Sequence, residues 1–145
     1  MMNGRYSDLR KGRVSVTGTA YHVVFSTKHR QPEFSNFTQA RQIVRYLKTD
    51  SQLNNTQTLA FVVMPDHVHW LLILNNGTLP GAVQRIKSMY SRYAKNKIWN
   101  KGFYDHGIRG DEDLAAIARY IVANPIRANL VRRVGDYPHW DAVWL

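Results

Sequence analysis

The stretch Met64-Pro65-Asp66-His67-Val68-His69-Trp70-Leu71-Leu72-Ile73-Leu74 decides how this chain is read. Its last eight residues are apolar apart from two histidines, and a Pro-Asp pair precedes them. That pattern predicts a buried strand entered through a tight turn. Side chains two apart on a strand leave the same face, about 6–7 Å apart at the backbone, so the His67 and His69 rings converge. The ordinary explanation of such a pair is chance, with one ring hydrogen-bonded at a sheet edge. Against it, a strand that otherwise excludes polar groups leaves both imidazoles in need of partners. One divalent metal ion would serve both.

Working outward, Thr58-Leu59-Ala60-Phe61-Val62-Val63-Met64 predicts a strand that folds back through Pro65-Asp66 as a hairpin, and Asn75-Asn76-Gly77 ends the histidine strand. Ala20-Tyr21-His22-Val23-Val24-Phe25-Ser26-Thr27 is a first strand. Between residues 38 and 50, Ala40, Ile43, Val44 and Leu47 recur on one helical face, with Thr38 or Asn36 placed to cap it. From Leu79, the residues Val83, Ile86, Tyr90 and Tyr93 mark a second helix whose other faces carry cations, so this helix is expected to face the ligand. Residues 101–109 predict a fourth strand. Asp111-Glu112-Asp113 opens a last helix with its apolar stripe at Leu114, Ile117, Ala118, Ile121 and Val122, and Pro125 ends or kinks it. The order strand, helix, strand, strand, helix, strand is that of a ferredoxin-like antiparallel α+β fold (βαββαβ), here with an additional C-terminal helix.

The 145 residues, 44% hydrophobic, suffice for one core and are too few for two ordinary domains. One domain over residues 1–145 is expected, with a basic arm at 1–19 and a tail at 136–145. Twenty Lys and Arg against 10 Asp and Glu give a net charge of +10, which points to a polyanion. No carboxylate occurs from His67 through Tyr104, while Arg85, Lys87, Arg92, Lys95, Lys97 and Lys101 fall in that window. The arm adds Arg5, Arg10, Lys11 and Arg13, with Tyr6 as a ring able to stack on a base. A solvated basic face is the plain alternative, but so one-sided a stretch favours nucleic acid. No apolar run approaches the roughly 20 residues that span a bilayer, and the first residues lead into charge, so no signal peptide is expected. With no cysteine, thiolate metal sites are excluded and a cytoplasmic, nucleoid-associated protein fits.

A metal held by two nitrogens is undersupplied. Tyr120 and Asn124, four residues apart, share one side of the last helix at about 40° from each other, on the flank of its apolar stripe. Asn124 offers a carbonyl oxygen to a hard cation and Tyr120 a phenolic oxygen beside it. Each has a plainer explanation: Tyr120 as a boundary aromatic with a wetted hydroxyl, and Asn124 as the cap of a new turn that begins at Pro125. Phosphoryl transfer would give the set one purpose, with a tyrosine oxygen attacking a phosphate polarised by metal and cations. The phenol's reference pKa near 10 then requires activation by the metal, by cations or by a base the sequence does not identify. His106 is a further candidate, though a histidine after an aspartate in a strand is more often structural.

His67-Val68-His69 with a tyrosine on a downstream helix resembles the histidine-hydrophobe-histidine single-tyrosine transposases of insertion sequences. More closely, Met64-Pro65-Asp66-His67-Val68-His69, Gly102-Phe103-Tyr104-Asp105-His106, the stretch from Ala118-Arg119-Tyr120 through Asn124-Pro125-Ile126-Arg127-Ala128, and Tyr137-Pro138-His139-Trp140 resemble the REP-associated tyrosine transposases. The resemblance runs from about Arg13 to the C-terminus. It implies a metal-dependent nuclease that cuts and rejoins single-stranded DNA at hairpins of repetitive extragenic palindromes through a 5′-phosphotyrosine. Tyr120 would be the nucleophile, and His67, His69 and Asn124 would bind Mg²⁺ or Mn²⁺. It also implies that the arm at residues 6–15, Ser15 included, reads a short sequence at the hairpin foot, and that the protein acts as a monomer rather than by swapping helices in a dimer. The competing class is a binding module that holds structured DNA or RNA without cutting. A metal-dependent hydrolase is a third, and it would form no covalent adduct.

Overall fold

The strand carrying the two histidines, β3 (His67–Leu74), runs through the centre of a five-stranded sheet. It lies between β1 (Ala20–Ser26) and β2 (Thr56–Met64), with β4 (Tyr104–Gly107) outside β1 and β5 (Trp140–Ala142) outside β2. All pairings are antiparallel. The structure is a computed structural model that describes residues 14–144. Arg5, Tyr6, Arg10, Lys11 and Arg13 lie outside the described residues. The described residues also form four α-helices: α1 (Phe37–Gln52), α2 (Leu79–Ala94), α3 (Leu114–Val122) and the short α4 (Asn124–Arg127).

Period-2 alternation assigns each strand side chain to one of two cores. Tyr21, Val23 and Phe25 of β1, Phe61 and Val63 of β2, and Val68, Trp70, Leu72 and Leu74 of β3 pack against Ala40, Ile43, Val44 and Leu47 of α1 and Leu79, Ala82, Val83, Ile86 and Tyr90 of α2. On the other face Ala60, Val62, Met64 and Leu71 meet Ala118, Ile121 and Val122 of α3, together with Tyr137 and Ala142. β3 is thus covered on both sides, and His67 and His69 belong to the α3 side. The two-residue Pro65-Asp66 turn closes the β2–β3 hairpin at the pair Met64↔His67.

Capping follows the sequence. Asn36, rather than Thr38, accepts the Gln39 N–H at the start of α1, and Asp113 accepts the Ala116 N–H at the start of α3. The expected fold class holds, with one strand shorter than expected and one added. The fourth strand is confined to Tyr104–Gly107, and the residues expected as a tail form β5. There the Tyr137 hydroxyl donates to the Val63 carbonyl at 2.6 Å, while Val63 N–H donates to the His139 carbonyl at 2.9 Å. These bonds satisfy the open edge of β2. Three residues are too few to show an alternating pattern in sequence, which is why the strand was not foreseen.

Seating of α3 on the sheet rests on few side chains, with fully buried Ile121 the largest. Ile121→Ala is expected to lower unfolding free energy by about 2–5 kcal/mol in urea denaturation. A loss below about 1 kcal/mol would mean that α3 is not packed as described.

Candidate active site and metal centre

The Pro65-Asp66 turn does more than reverse the chain. Its carbonyls accept from the backbone N–H groups of Phe34 (2.8 Å) and Thr27 (3.0 Å), which fixes the turn against the end of β1. One Asp66 oxygen accepts from Arg30 Nε at 2.8 Å, and the other lies 2.7 Å from His67 Nδ1. Burial alone would raise the Asp66 carboxyl, but the hydrogen bonds from His67 and Arg30 outweigh it and hold it below the usual range. The next histidine has a different partner. His69 Nδ1 lies 2.9 Å from His22 Nε2, with the two rings stacked at 5.2 Å and 25°.

Both motif histidines therefore engage Nδ1, which leaves Nε2 of each for an external partner. Their ring centroids are 5.0 Å apart. Burial keeps them neutral: it lowers the His67 pKa and, with His67, His22 and Arg127 adding repulsion, brings His69 down to about 2. His22 is lowered to about 4 by burial and then by His106. Neutral imidazole is the metal-ligating form.

Among the described residues no group of three or more His, Cys, Asp or Glu could hold a metal ion. Asn124, at the start of α4, offers an amide oxygen, and it does not line the cleft that holds His69. Its Nδ2 donates to the Ile121 carbonyl at 3.0 Å, so Oδ1 is the atom left for a partner. The residue preceding α4 at its cap is Ala123, and no side chain caps that helix, so the Asn124 amide is not occupied in capping. Neutral imidazole nitrogens and an amide oxygen are donor types that a six-coordinate divalent ion takes alongside several waters.

A cleft of about 420 Å³ opens beside this pair, lined by His22, His69, Tyr104, His106, Glu112 and Tyr120 among others. The structure thus brings His69 and Tyr120 to one cavity, with His67 flanking His69. Tyr120 is 59% exposed, more than its position on the border of the apolar stripe suggests. It is held by Arg127, whose guanidinium sits 3.8 Å from the ring centroid and donates to the Tyr120 carbonyl at 2.6 Å. That leaves a cation beside the phenol. His106 reaches the cleft with its Nε2 3.1 Å from Glu112.

His22, Asp66, Glu112 and Arg127 do not stand out in the sequence. His22 alternates with the buried Tyr21 and Val23, so the strand pattern alone puts it on the histidine face once β1 is known to pair with β3. In sequence Asp66 is a turn residue, Glu112 part of a helix start, and Arg127 part of a family phrase. None carries a local signal of its role.

The basic residues divide differently from expectation. α2 lies on the sheet face opposite the histidine pair, because its apolar stripe packs on Trp70 and Leu72. Its expected presentation to a ligand at that pair does not occur. Arg85 turns inward to Asp50 through Nε and Nη2 at 2.7 and 3.2 Å. Lys87 is buried and donates to the carbonyls of Asn100 and Gly102 at 2.9 and 2.6 Å, and burial lowers its pKa to about 8. Ser15 Oγ accepts from the Leu79 N–H at 2.9 Å. Arg92 and Lys95 are exposed. Lys28, Lys97 and Lys101 join Lys87 around a separate cleft of about 820 Å³ on the α2 side.

Residues 15–124 match the family described as IS200-like transposase. The chain is 32% identical over 82 residues to the REP-associated tyrosine transposase of Escherichia coli K12, covering 54% of this chain and 50% of that one. It is 30% identical over 100 residues to a Haemophilus influenzae protein provisionally given the same name, covering 57% of each. The chain thus spans about half the length of the curated relatives it matches. The structure superposes on that of a REP-associated tyrosine transposase bound to a REP hairpin with a TM-score of 0.77 and 24% identity, covering 88% of this chain and 79% of the other. At that identity the likeness is one of fold.

Lowered histidine pKa values have a sign for stability. The unfolded chain takes up protons near 6.5, whereas folded His22 and His69 stay neutral to about 4 and about 2. Below pH 6.5 the unfolded state binds more protons, so metal-free protein loses stability as pH falls. Urea denaturation with chelator is expected to give about 2–4 kcal/mol less stability at pH 5.0 than at pH 7.5. A flat profile would show that these rings are solvated.

Proposed function

The chain belongs to the IS200-like transposase family, and we propose that it cuts and rejoins single-stranded DNA next to palindromic hairpins, with Tyr120 as nucleophile and with His67, His69 and Asn124 binding Mg²⁺ or Mn²⁺. The observation that carries this reading is the shared cleft of Tyr120 and His69, beside a histidine pair whose Nδ1 atoms are both engaged. REP hairpins are the favoured partner because a solved relative is bound to one, and two curated relatives carry the REP-associated name.

In the proposed reaction the Tyr120 oxygen attacks the scissile phosphorus and loses its proton. The bond from phosphorus to the 3′-oxygen breaks, that oxygen leaves as a 3′-hydroxyl after taking up a proton, and the 5′-phosphate stays esterified to Tyr120. The ester retains the bond energy, so a 3′-hydroxyl returning to the same phosphorus restores the DNA without a nucleotide cofactor. Burial keeps His67 and His69 neutral, Asp66 and His22 hold their rings, and Arg127 places positive charge over the Tyr120 ring, on the residue where phosphate charge would develop. A bound divalent ion would polarise the scissile phosphate. The docking of α3 on the sheet of its own chain supports a reading in which Tyr120 serves the histidines of the same subunit.

The exposed Lys28, Lys97 and Lys101 around the α2-side cleft are suited to the phosphates of the flanking DNA. Lys28 links the two regions, because its N–H bonds to the Ile98 carbonyl while its neighbour Thr27 bonds to Asp66.

With labelled hairpin DNA and Mn²⁺, wild-type protein is expected to yield a covalent adduct on denaturing gels. Tyr120→Phe removes it, whereas the double variant His67→Ala, His69→Ala stops cleavage and leaves salt-dependent binding. An adduct that persists without the Tyr120 hydroxyl would sink the assignment, and cleavage without any adduct would indicate a hydrolase.

A further inference from the structure

His22 belongs to no motif, yet it makes the hydrogen bond on which the ligating state of His69 depends. A neutral imidazole has one protonated nitrogen and one lone pair. One proton lies between His22 Nε2 and His69 Nδ1 across 2.9 Å. If His69 Nδ1 carries it, His69 Nε2 presents a lone pair. If His22 Nε2 carries it, His69 has its own proton on Nε2 and is a donor, unable to bind a cation there.

We infer that His22 is the acceptor that holds His69 in its Nδ1–H tautomer and so makes Nε2 a metal-facing lone pair. His67 shows the same arrangement without ambiguity, because its Nδ1 faces the Asp66 carboxylate at 2.7 Å, and a carboxylate only accepts. The two rings are then treated alike: each donates from Nδ1 to a fixed acceptor, the arrangement that orients histidine ligands at metal sites. The acceptors differ in charge, an anion behind His67 and a neutral ring behind His69, which keeps net charge at the site from growing more negative.

The fold fixes this acceptor in place. His22 sits on β1 opposite Leu71, two residues from the Val24↔His69 pair, so it reaches His69 diagonally on the same sheet face. Its ring stacks on His69 and meets Tyr104 edge-on at 6.5 Å. On its other side His106 is its direct cross-strand neighbour on β4. His22 is not a third ligand. Its Nε2 is directed at Nδ1 of His69, away from the Nε2 that would bind, and no three-residue His, Cys, Asp or Glu group is set for a metal among the described residues. Its role is to position, through His69, and the inference rests on the metal-binding reading proposed above.

The test has two readouts. Long-range ¹H–¹⁵N correlation spectra of ¹⁵N-labelled, metal-free protein at pH 7.5 report which nitrogen of each histidine is protonated. Mn²⁺ titration followed by calorimetry then reports affinity. Wild-type protein is expected to show His69 protonated on Nδ1. His22→Phe keeps a stacking ring without an acceptor, and it is expected to move the His69 proton to Nε2 and weaken Mn²⁺ binding about 10–100-fold. His22→Gln offers an amide oxygen near the position of Nε2 and is expected to restore the Nδ1–H tautomer and most of the affinity. Wild-type His69 protonated on Nε2 overturns the inference, as does a folded His22→Phe that binds Mn²⁺ like wild type. If His22→Phe does not fold, the wild-type spectrum and the Gln variant still decide. Wild-type protein with the expected tautomer but no Mn²⁺ binding contradicts the metal reading while leaving the His22–His69 bond as described.

Discussion

The two-sided burial of β3 is the constraint from which the rest follows. A strand covered on one face alone would let its other face carry any polar residue, solvated and mobile. Here Val68, Trp70, Leu72 and Leu74 fill one core and Leu71 contributes to the other, so register cannot slip by one residue without burying both imidazoles among the side chains of α1 and α2. The same alternation that builds the fold therefore aims the histidines. What remains polar on the α3 side must find partners, and it does so in Asp66 and His22.

Position along the strand matters as much as face. His67 is the first residue of β3, beside a turn fixed by Thr27 and Phe34, so a carboxylate one residue earlier can reach back to its Nδ1. His69, two residues further in, has no such neighbour in sequence and depends on the adjacent strand. The second half of the site comes from α3, which is held by an apolar stripe and leaves Tyr120 at its border. α4 restarts the helix after Ala123 and returns Arg127 over the Tyr120 ring. Rigid sheet and packed helix thus approach from opposite sides of one cleft, an arrangement suited to holding reacting groups in fixed geometry.

Residues that follow a periodic rule were legible in sequence. The hairpin, the strand order implied by βαββαβ, the stripes of α1, α2 and α3, and the pairing of His67 with His69 all rest on spacing within one element. The unforeseen features join elements far apart in the chain. His22 and His69 are 47 residues apart. Lys87 and Arg85 look like surface cations in a basic run, yet tertiary structure turns Arg85 onto buried Asp50 and Lys87 onto two loop carbonyls. A count of charges cannot show which cations are already paired. Helical spacing also pairs Tyr120 with Asn124 on one side of the last helix, and the match over residues 15–124 places both inside the family's extent.

The central claim is that one cation joins a strand and a helix. Anomalous diffraction at the manganese edge, from crystals grown with Mn²⁺, tests it most directly. A single strong peak is expected in direct bonding distance of His67 Nε2, His69 Nε2 and Asn124 Oδ1, opening onto the Tyr120 cleft. A peak bound through Nδ1 of either histidine, or no peak between the two rings at saturating Mn²⁺, would contradict it.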